Sequence, residues 1–262
     1  MTLLETTALS VTFGGLHAVE QVDISIQVGG FVGLIGPNGA GKTTFIDAIT
    51  GFVPISEGSI VFDGQRIDDL APDVRARRGL TRTFQQLELF EDLTVRDNLL
   101  AAAENPKWTD MILDAFHPGR ASTSTADVDW ALGVVDMADT CDRYPSELSH
   151  GQRKLIAVAR ALAARPKLVL LDEPAAGLDT TESQALGEQL MRLVDHDTTV
   201  FLVDHDMGLV LSVCDYIYVL DSGGVIAEGT PAEVRNDPNV ISAYLGTHAD
   251  ESSADDASES GR

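Results

Sequence analysis

Residues 36–43 read Gly36-Pro37-Asn38-Gly39-Ala40-Gly41-Lys42-Thr43, a full match to the pattern GxxxxGK[ST]. A short apolar run, Phe31–Ile35, leads into it, and Thr43–Ile49 follows as a helix stopped by Gly51. A strand, a glycine loop and a helix in that order restrict the chain to α/β folds with a buried strand feeding the loop. Each part has a physical reason. Glycines let the backbone curl so that several N–H groups converge on phosphate oxygens. The helix N-terminus adds its positive dipole end. Lys42 supplies a mobile positive charge for the β and γ phosphates, and the Thr43 hydroxyl suits a Mg²⁺ ion. The bland alternative is a glycine turn that binds nothing, and the strand–loop–helix context argues against it. The loop by itself leaves the class of nucleotide hydrolase open.

The 262 residues suffice for one large α/β domain, or a core with a smaller lobe. Val22–Val28 alternates apolar and polar residues as a half-exposed strand does, and Ser59–Phe62 followed by Asp63-Gly64 reads as a strand and turn. Residues 86–165 lack strand alternation. Helices are expected at Thr94–Ala103, Ala126–Ala138 and Gln152–Ala164, with Pro145-Ser146-Glu147 breaking the chain before the last. Strands return at Leu168–Leu171, Val200–Val203 and Tyr216–Leu220. The pattern is one domain over 1–247, an α/β core (about 1–85 and 166–247) interrupted by a helical insertion (about 86–165). Residues 248–262 are rich in Ser, Asp and Glu and are expected to be a disordered acidic tail.

A second motif narrows the chemistry. In Leu168-Val169-Leu170-Leu171-Asp172-Glu173, four apolar residues bury a strand and two carboxylates emerge at its end. Asp172 is expected to hold Mg²⁺ directly or through water, and Glu173 to polarise the attacking water as general base. Alone, this could be an acidic turn before Pro174. Beside a full phosphate loop it reads as catalytic.

Further motifs carry a family resemblance. Leu148-Ser149-His150-Gly151-Gln152 resembles the LSGGQ signature of ABC-type ATPases, and Gln85 falls where that family has its Q-loop glutamine. Ala176-Gly177-Leu178-Asp179 resembles the D-loop, His205 the switch histidine, and Phe13 the aromatic that stacks on adenine. The resemblance spans about residues 5–245. It implies a P-loop NTPase (RecA-like) core with ABC-type antiparallel strands and an inserted helical subdomain. Two such domains would pair head to tail, as a homodimer or heterodimer, with ATP and Mg²⁺ between them. The nucleotide set is then Phe13, Gly36 through Thr43, the next residue Thr44, and Ser149, Gly151 and Gln152 from across the dimer. Thr43, Gln85 and Asp172 are the Mg²⁺ ligands, while Glu173, His205 and Gln85 are the catalytic set. Position 150 departs from the signature, with His for Gly. A backbone N–H can still donate there, and the side chain is expected to face outward. Two Asp-His-Asp triplets, at 195–197 and 204–206, lack a fixed metal-ligand spacing, and only His205 takes a role.

Arg82-Thr83-Phe84-Gln85, Asp172 through Leu178 and the ending Asp237 through Gly246 look like the LivG-type ATPases of branched-chain amino-acid importers. That implies a second, related ATPase, two membrane permease subunits and, indirectly, an external substrate-binding protein. Urea- and amide-importer ATPases share much of the pattern, and non-transport ABC ATPases stand as a further alternative. A phosphate-loop kinase would leave Leu148–Gln152 unexplained. Nucleic acid is not an expected partner, because the formal net charge is −23 and binders of nucleic acid carry basic faces. Only Lys42, Lys107, Lys154 and Lys167 are lysines, and the Asp-rich composition matches a salt-loving source. No apolar run approaches the ~20 residues of a membrane span, and Met1–Glu5 shows no signal-peptide pattern. The expected location is the cytoplasmic face of the membrane, held there by partners. Cys141 and Cys214 form no CxxC motif and are expected to act as small apolar side chains.

Overall fold

The structure, a computed structural model, describes residues 1–83, 89–103, 123–194 and 198–244. It packs as two compact units, one of Met1–Gln27, Phe31–Asp69 and Leu202 onward, the other of Val28–Gly30 and Leu70–Phe201.

The first unit opens with two long strands, β1 (Thr2–Phe13) and β2 (Leu16–Gln27), joined through Gly14-Gly15. The alternation expected over Val22–Val28 holds in β2 through Val22, Ile24 and Ile26, all buried, but the strand ends at Gln27 and Val28 is exposed. β3 (Phe31–Ile35) is buried at all five positions and runs into the glycine loop, which delivers the chain to α1 (Lys42–Thr50). Gly51, left-handed at φ 87°, ends α1 as the sequence indicates. β4 (Glu57–Phe62) turns into the short β5 (Gln65–Arg66) through Asp63 (φ 49°) and Gly64 (φ 71°), both left-handed as a tight hairpin turn requires. One antiparallel sheet results, in the order β2-β1-β4-β5.

The second unit begins with α2 (Pro72–Arg77), a helix too short for periodicity to announce, started by Pro72. β6 (Leu80–Arg82) follows, then α3 (Val95–Ala103), α4 (Thr123–Val134), α5 (His150–Leu162), β7 (Leu168–Asp172) and α6 (Thr180–Met191). The expected helix over Ala126–Ala138 instead begins at residue 123 and ends at Val134. Asp136 in the left-handed region (φ 58°) stops it, and a separate 3₁₀ turn forms at Ala138–Thr140. α3, α4 and α5 pack on one another, and their Leu99, Val128, Leu132, Ile156 and Leu162 are all buried. Asn98, fully buried, donates from its amide to the carbonyls of Phe90, Leu93 and Thr94 and accepts the Phe90 N–H, so one side chain sets the path of the chain into α3. β6 and β7 pair in parallel, Arg82 opposite Leu170.

β8 (Thr199–Val203) carries the chain back into the first unit, followed by α7 (Met207–Val213), β9 (Tyr216–Asp221), β10 (Gly224–Gly229) and α8 (Pro231–Arg235). There β9 lies parallel to β3, and β10 returns antiparallel through Ser222-Gly223. Gly33 of β3 permits α7 to lie close: a Cβ there would stand 2.6 Å from Val210 and 2.9 Å from Cys214.

Candidate functional site

The phosphate loop is braced from outside. A Cβ on Gly36 would stand 2.0 Å from the Leu220 carbonyl oxygen, and one on Gly41 (φ 101°) 2.4 Å from the Ala18 carbonyl oxygen. Only glycine fits at either point. The β9–β10 turn adds a strut, since the Gly223 N–H donates to the Ala40 carbonyl (3.0 Å) while the Gly223 carbonyl accepts the Glu20 N–H (2.8 Å). The first turn of α1 has neither a side-chain cap nor an acidic residue. Its N–H groups and its positive dipole end therefore face the loop for an anion to use. Lys42 is 7% exposed, and its Nζ donates to the carbonyls of Gly36 (2.6 Å) and Pro37 (3.0 Å). Thr43 is exposed and Thr44 half-buried, while Asn38 and Gly39 lie open at the loop tip.

Three further residues of the first unit bear on the site. Phe13, at the end of β1, is 51% exposed. His205 follows β8, its Nδ1 3.5 Å from the carboxylate of the fully buried Asp204. Asp204 also accepts the Asp206 N–H, and Asp206 caps α7 through the Leu209 N–H, so the two carboxylates flanking His205 hold the backbone of this turn. Tyr244 carried no role in the motif reading. Its hydroxyl is shielded from water and lies beside the backbone of Gly36. Burial pushes that hydroxyl up to about 12, and the Gly36 backbone acts against the shift.

The second unit holds the carboxylates and the signature. Asp172 ends the fully buried β7 and is 8% exposed. Arg82 donates from Nη2 to its Oδ2 at 2.7 Å. Glu173 adopts φ 46°, uncommon for a residue with a Cβ, and so departs from the strand direction. The Ala176 N–H closes on the Glu173 carbonyl, and Asp179 caps α6 by accepting the Glu182 N–H. At the signature, Ser149 caps α5. Its Oγ accepts the Gln152 N–H (3.3 Å), and the Gln152 side chain accepts the Ser149 N–H (3.0 Å), a capping box. Because Ser149 Oγ accepts there, its hydroxyl proton stays available to donate. Gly151 sits in the first turn of the helix. His150 is exposed, and its Nε2 lies 3.5 Å from where a Cβ on Gly177 (φ 78°) would stand. Gln85 and the triplet at 195–197 lie outside the described residues.

Among the described residues, no cluster of three or more His, Cys, Asp or Glu side chains could hold a metal by itself. The Thr43 hydroxyl and the Asp172 carboxylate are each hard oxygen donors, the kind that Mg²⁺ takes together with phosphate oxygens and water.

Two family models match: "ABC transporter" over residues 19–176, and "Branched-chain amino acid ATP-binding cassette transporter" over residues 225–250. The chain is 38% identical, over 249 residues, to the high-affinity branched-chain amino acid transport ATP-binding protein BraF of Pseudomonas aeruginosa, covering 93% of this chain and 98% of that protein. It is likewise 38% identical over 250 residues to LivG of Escherichia coli, which bears the same description, at 93% and 98% coverage. Among solved structures, a nucleotide-free ATP-binding cassette from an ABC transporter superposes with a TM-score of 0.81 at 31% identity, covering 93% of this chain and 99% of that one. The α/β phosphate-loop fold with added antiparallel strands is thus shared with solved cassettes.

Proposed function

This chain belongs to the ABC transporter ATP-binding family, and we propose that it powers an importer of branched-chain amino acids from the cytoplasmic face of the membrane. It is an ATP hydrolase. The observation that carries the cargo reading is the match of residues 225–250 to the branched-chain model, joined to 38% identity with BraF across 93% of the chain. Among the described residues no helix is long and apolar enough to cross a membrane. Contact with the bilayer then runs through two permease subunits, which residues 86–165 would dock as a helical subdomain within a single 1–247 ATPase domain. A second ATPase of the same family completes the dimer, and an external binding protein delivers the substrate.

Each side chain has a task in this scheme. Phe13 stacks on the adenine. The N–H groups of the Gly36–Thr44 segment, in which Pro37 has none, receive the phosphates, and Lys42 exchanges the carbonyls of Gly36 and Pro37 for β and γ phosphate oxygens. Ser149 donates its free hydroxyl proton, and Gly151 its N–H, to the γ phosphate of the partner's nucleotide, with Gln152 keeping Ser149 in place. Glu173 takes a proton from the attacking water while His205 hydrogen-bonds the γ phosphate. Thr43, Gln85 and Asp172 would hold Mg²⁺, which neutralises phosphate charge when bound.

The test is co-expression with candidate permeases and a second ATPase, followed by ATP-driven uptake of leucine or urea into vesicles. Leucine uptake is expected. Urea uptake without leucine would move the chain to the urea and amide importers, and co-purification with DNA or ribosomes in place of permeases would end the transport reading. The net charge of −23 further supports function in concentrated salt, where a Debye length of ~3 Å at about 1 M mutes self-repulsion. Full stability without added salt would refute that part.

A further inference from the structure

The carboxylate expected to meet Mg²⁺ already has a cationic partner. Arg82 Nη2 stands 2.7 Å from Asp172 Oδ2, with side-chain exposures of 7% and 10%. Removing both charges from water costs about as much as their attraction returns, so stability alone is a weak reason for such a pair. The sheet builds it: β6 runs parallel to β7 with Arg82 opposite Leu170, two positions before Asp172 on the same face. The next residue of the strand end holds the Asp172 backbone as well. The Asp172 N–H donates to Thr83 Oγ1 (3.3 Å), and the Thr83 N–H donates to the Leu170 carbonyl (2.8 Å). In sequence, Gln85 follows only two residues later.

We infer that Arg82 is a positioning residue that holds the Asp172 carboxylate and lowers its affinity for Mg²⁺, so that the ion is held firmly only when nucleotide phosphates supply the other ligands. This rests on the reading of Asp172 as a Mg²⁺ ligand. Two effects act in the same direction. The guanidinium occupies one carboxylate oxygen, and its full charge repels a divalent cation at the other. It also spares the resting protein a lone buried carboxylate.

The experiment titrates Mg²⁺ into the full chain with a fluorescent, non-hydrolysable ATP analogue, and in parallel follows the melting temperature against Mg²⁺ without nucleotide. Arg82→Gln should lower the half-saturating Mg²⁺ about tenfold, the size of one lost charge-assisted interaction, and should gain a Mg²⁺-dependent rise in melting temperature that the wild type lacks. Arg82→Lys keeps the charge but loses the planar fork, and its shift should be smaller, about threefold in the same direction. It serves as the test if the Gln variant does not fold. Asp172→Asn separates the two ideas. If it weakens the Mg²⁺ dependence while neither Arg82 variant moves it, or they move it upward, the role of Arg82 is overturned and the ligand reading stands. If Asp172→Asn leaves the Mg²⁺ dependence unchanged, Asp172 is no ligand and both fall.

Discussion

Lys42 Nζ lies 2.6 Å from the Gly36 carbonyl oxygen, so the first residue of the phosphate loop holds the loop's own cation. The side chain is buried. A buried ammonium requires acceptors, and the carbonyls of Gly36 and Pro37 supply them. Nucleotide binding then exchanges neutral acceptors for charged ones, which favours the bound state. Lys42→Ala should weaken ATP binding by about ten- to a hundredfold, the loss of one or two charge-assisted bonds. A fluorescence titration checks this, and an unchanged affinity would contradict the phosphate-loop role of Lys42.

Glu173 is the candidate base, and its left-handed backbone (φ 46°) bends the chain away from β7 where the side chain must reach water. Glu173→Gln should retain ATP binding while turnover falls by about 10²–10⁴, the usual contribution of a general base. With hydrolysis blocked, an ATP-dependent dimer should accumulate on size-exclusion chromatography. Full turnover by this variant would remove Glu173 from the role.

The brace around the loop is testable through Gly41. At φ 101° with the Ala18 oxygen 2.4 Å from any added Cβ, Gly41→Ala must strain both loop and β2. A cost of about 1–3 kcal/mol from backbone strain alone corresponds to a melting temperature lower by roughly 2–12 °C for a domain of this size. Gly39→Ala serves as the comparison, because a Cβ there meets nothing within 4 Å although its φ of 81° is also left-handed. It should cost less. Equal losses would mean that the clash with Ala18 contributes nothing.

Tyr244 ties alkaline stability to the loop. Its hydroxyl, ordinarily near 10, is held up to about 12 by burial. Between those values the unfolded chain releases the proton and the folded chain keeps it. The stabilisation is complete below pH 10 and is lost as pH rises toward 12. Tyr244→Phe should flatten that decline, read as the difference in denaturation midpoint between variant and wild type from pH 9 to 11.5. Parallel curves would place the titration elsewhere.

The parts of this protein legible along the chain are those whose chemistry is local. The phosphate loop, the Asp172-Glu173 pair and the signature are runs of consecutive residues, and the capping box of Ser149 and Gln152 closes within a single helical turn. β3 and β7 were readable because burial on all sides demands an unbroken apolar run. Short elements such as α2 and β6 were not, since six and three residues hold too little periodicity. Tertiary structure decided everything that depends on distant residues meeting. It set the carbonyls of Ala18 and Leu220 against Gly41 and Gly36, the Gly223 strut under Ala40, and Tyr244 beside Gly36. It also brought Arg82 to Asp172 across 90 residues of sequence. Local pattern names the groups that touch phosphate. Only the packing of strands fixes which neighbours hold those groups in place, because that depends on register and sheet order, which neighbouring residues do not encode.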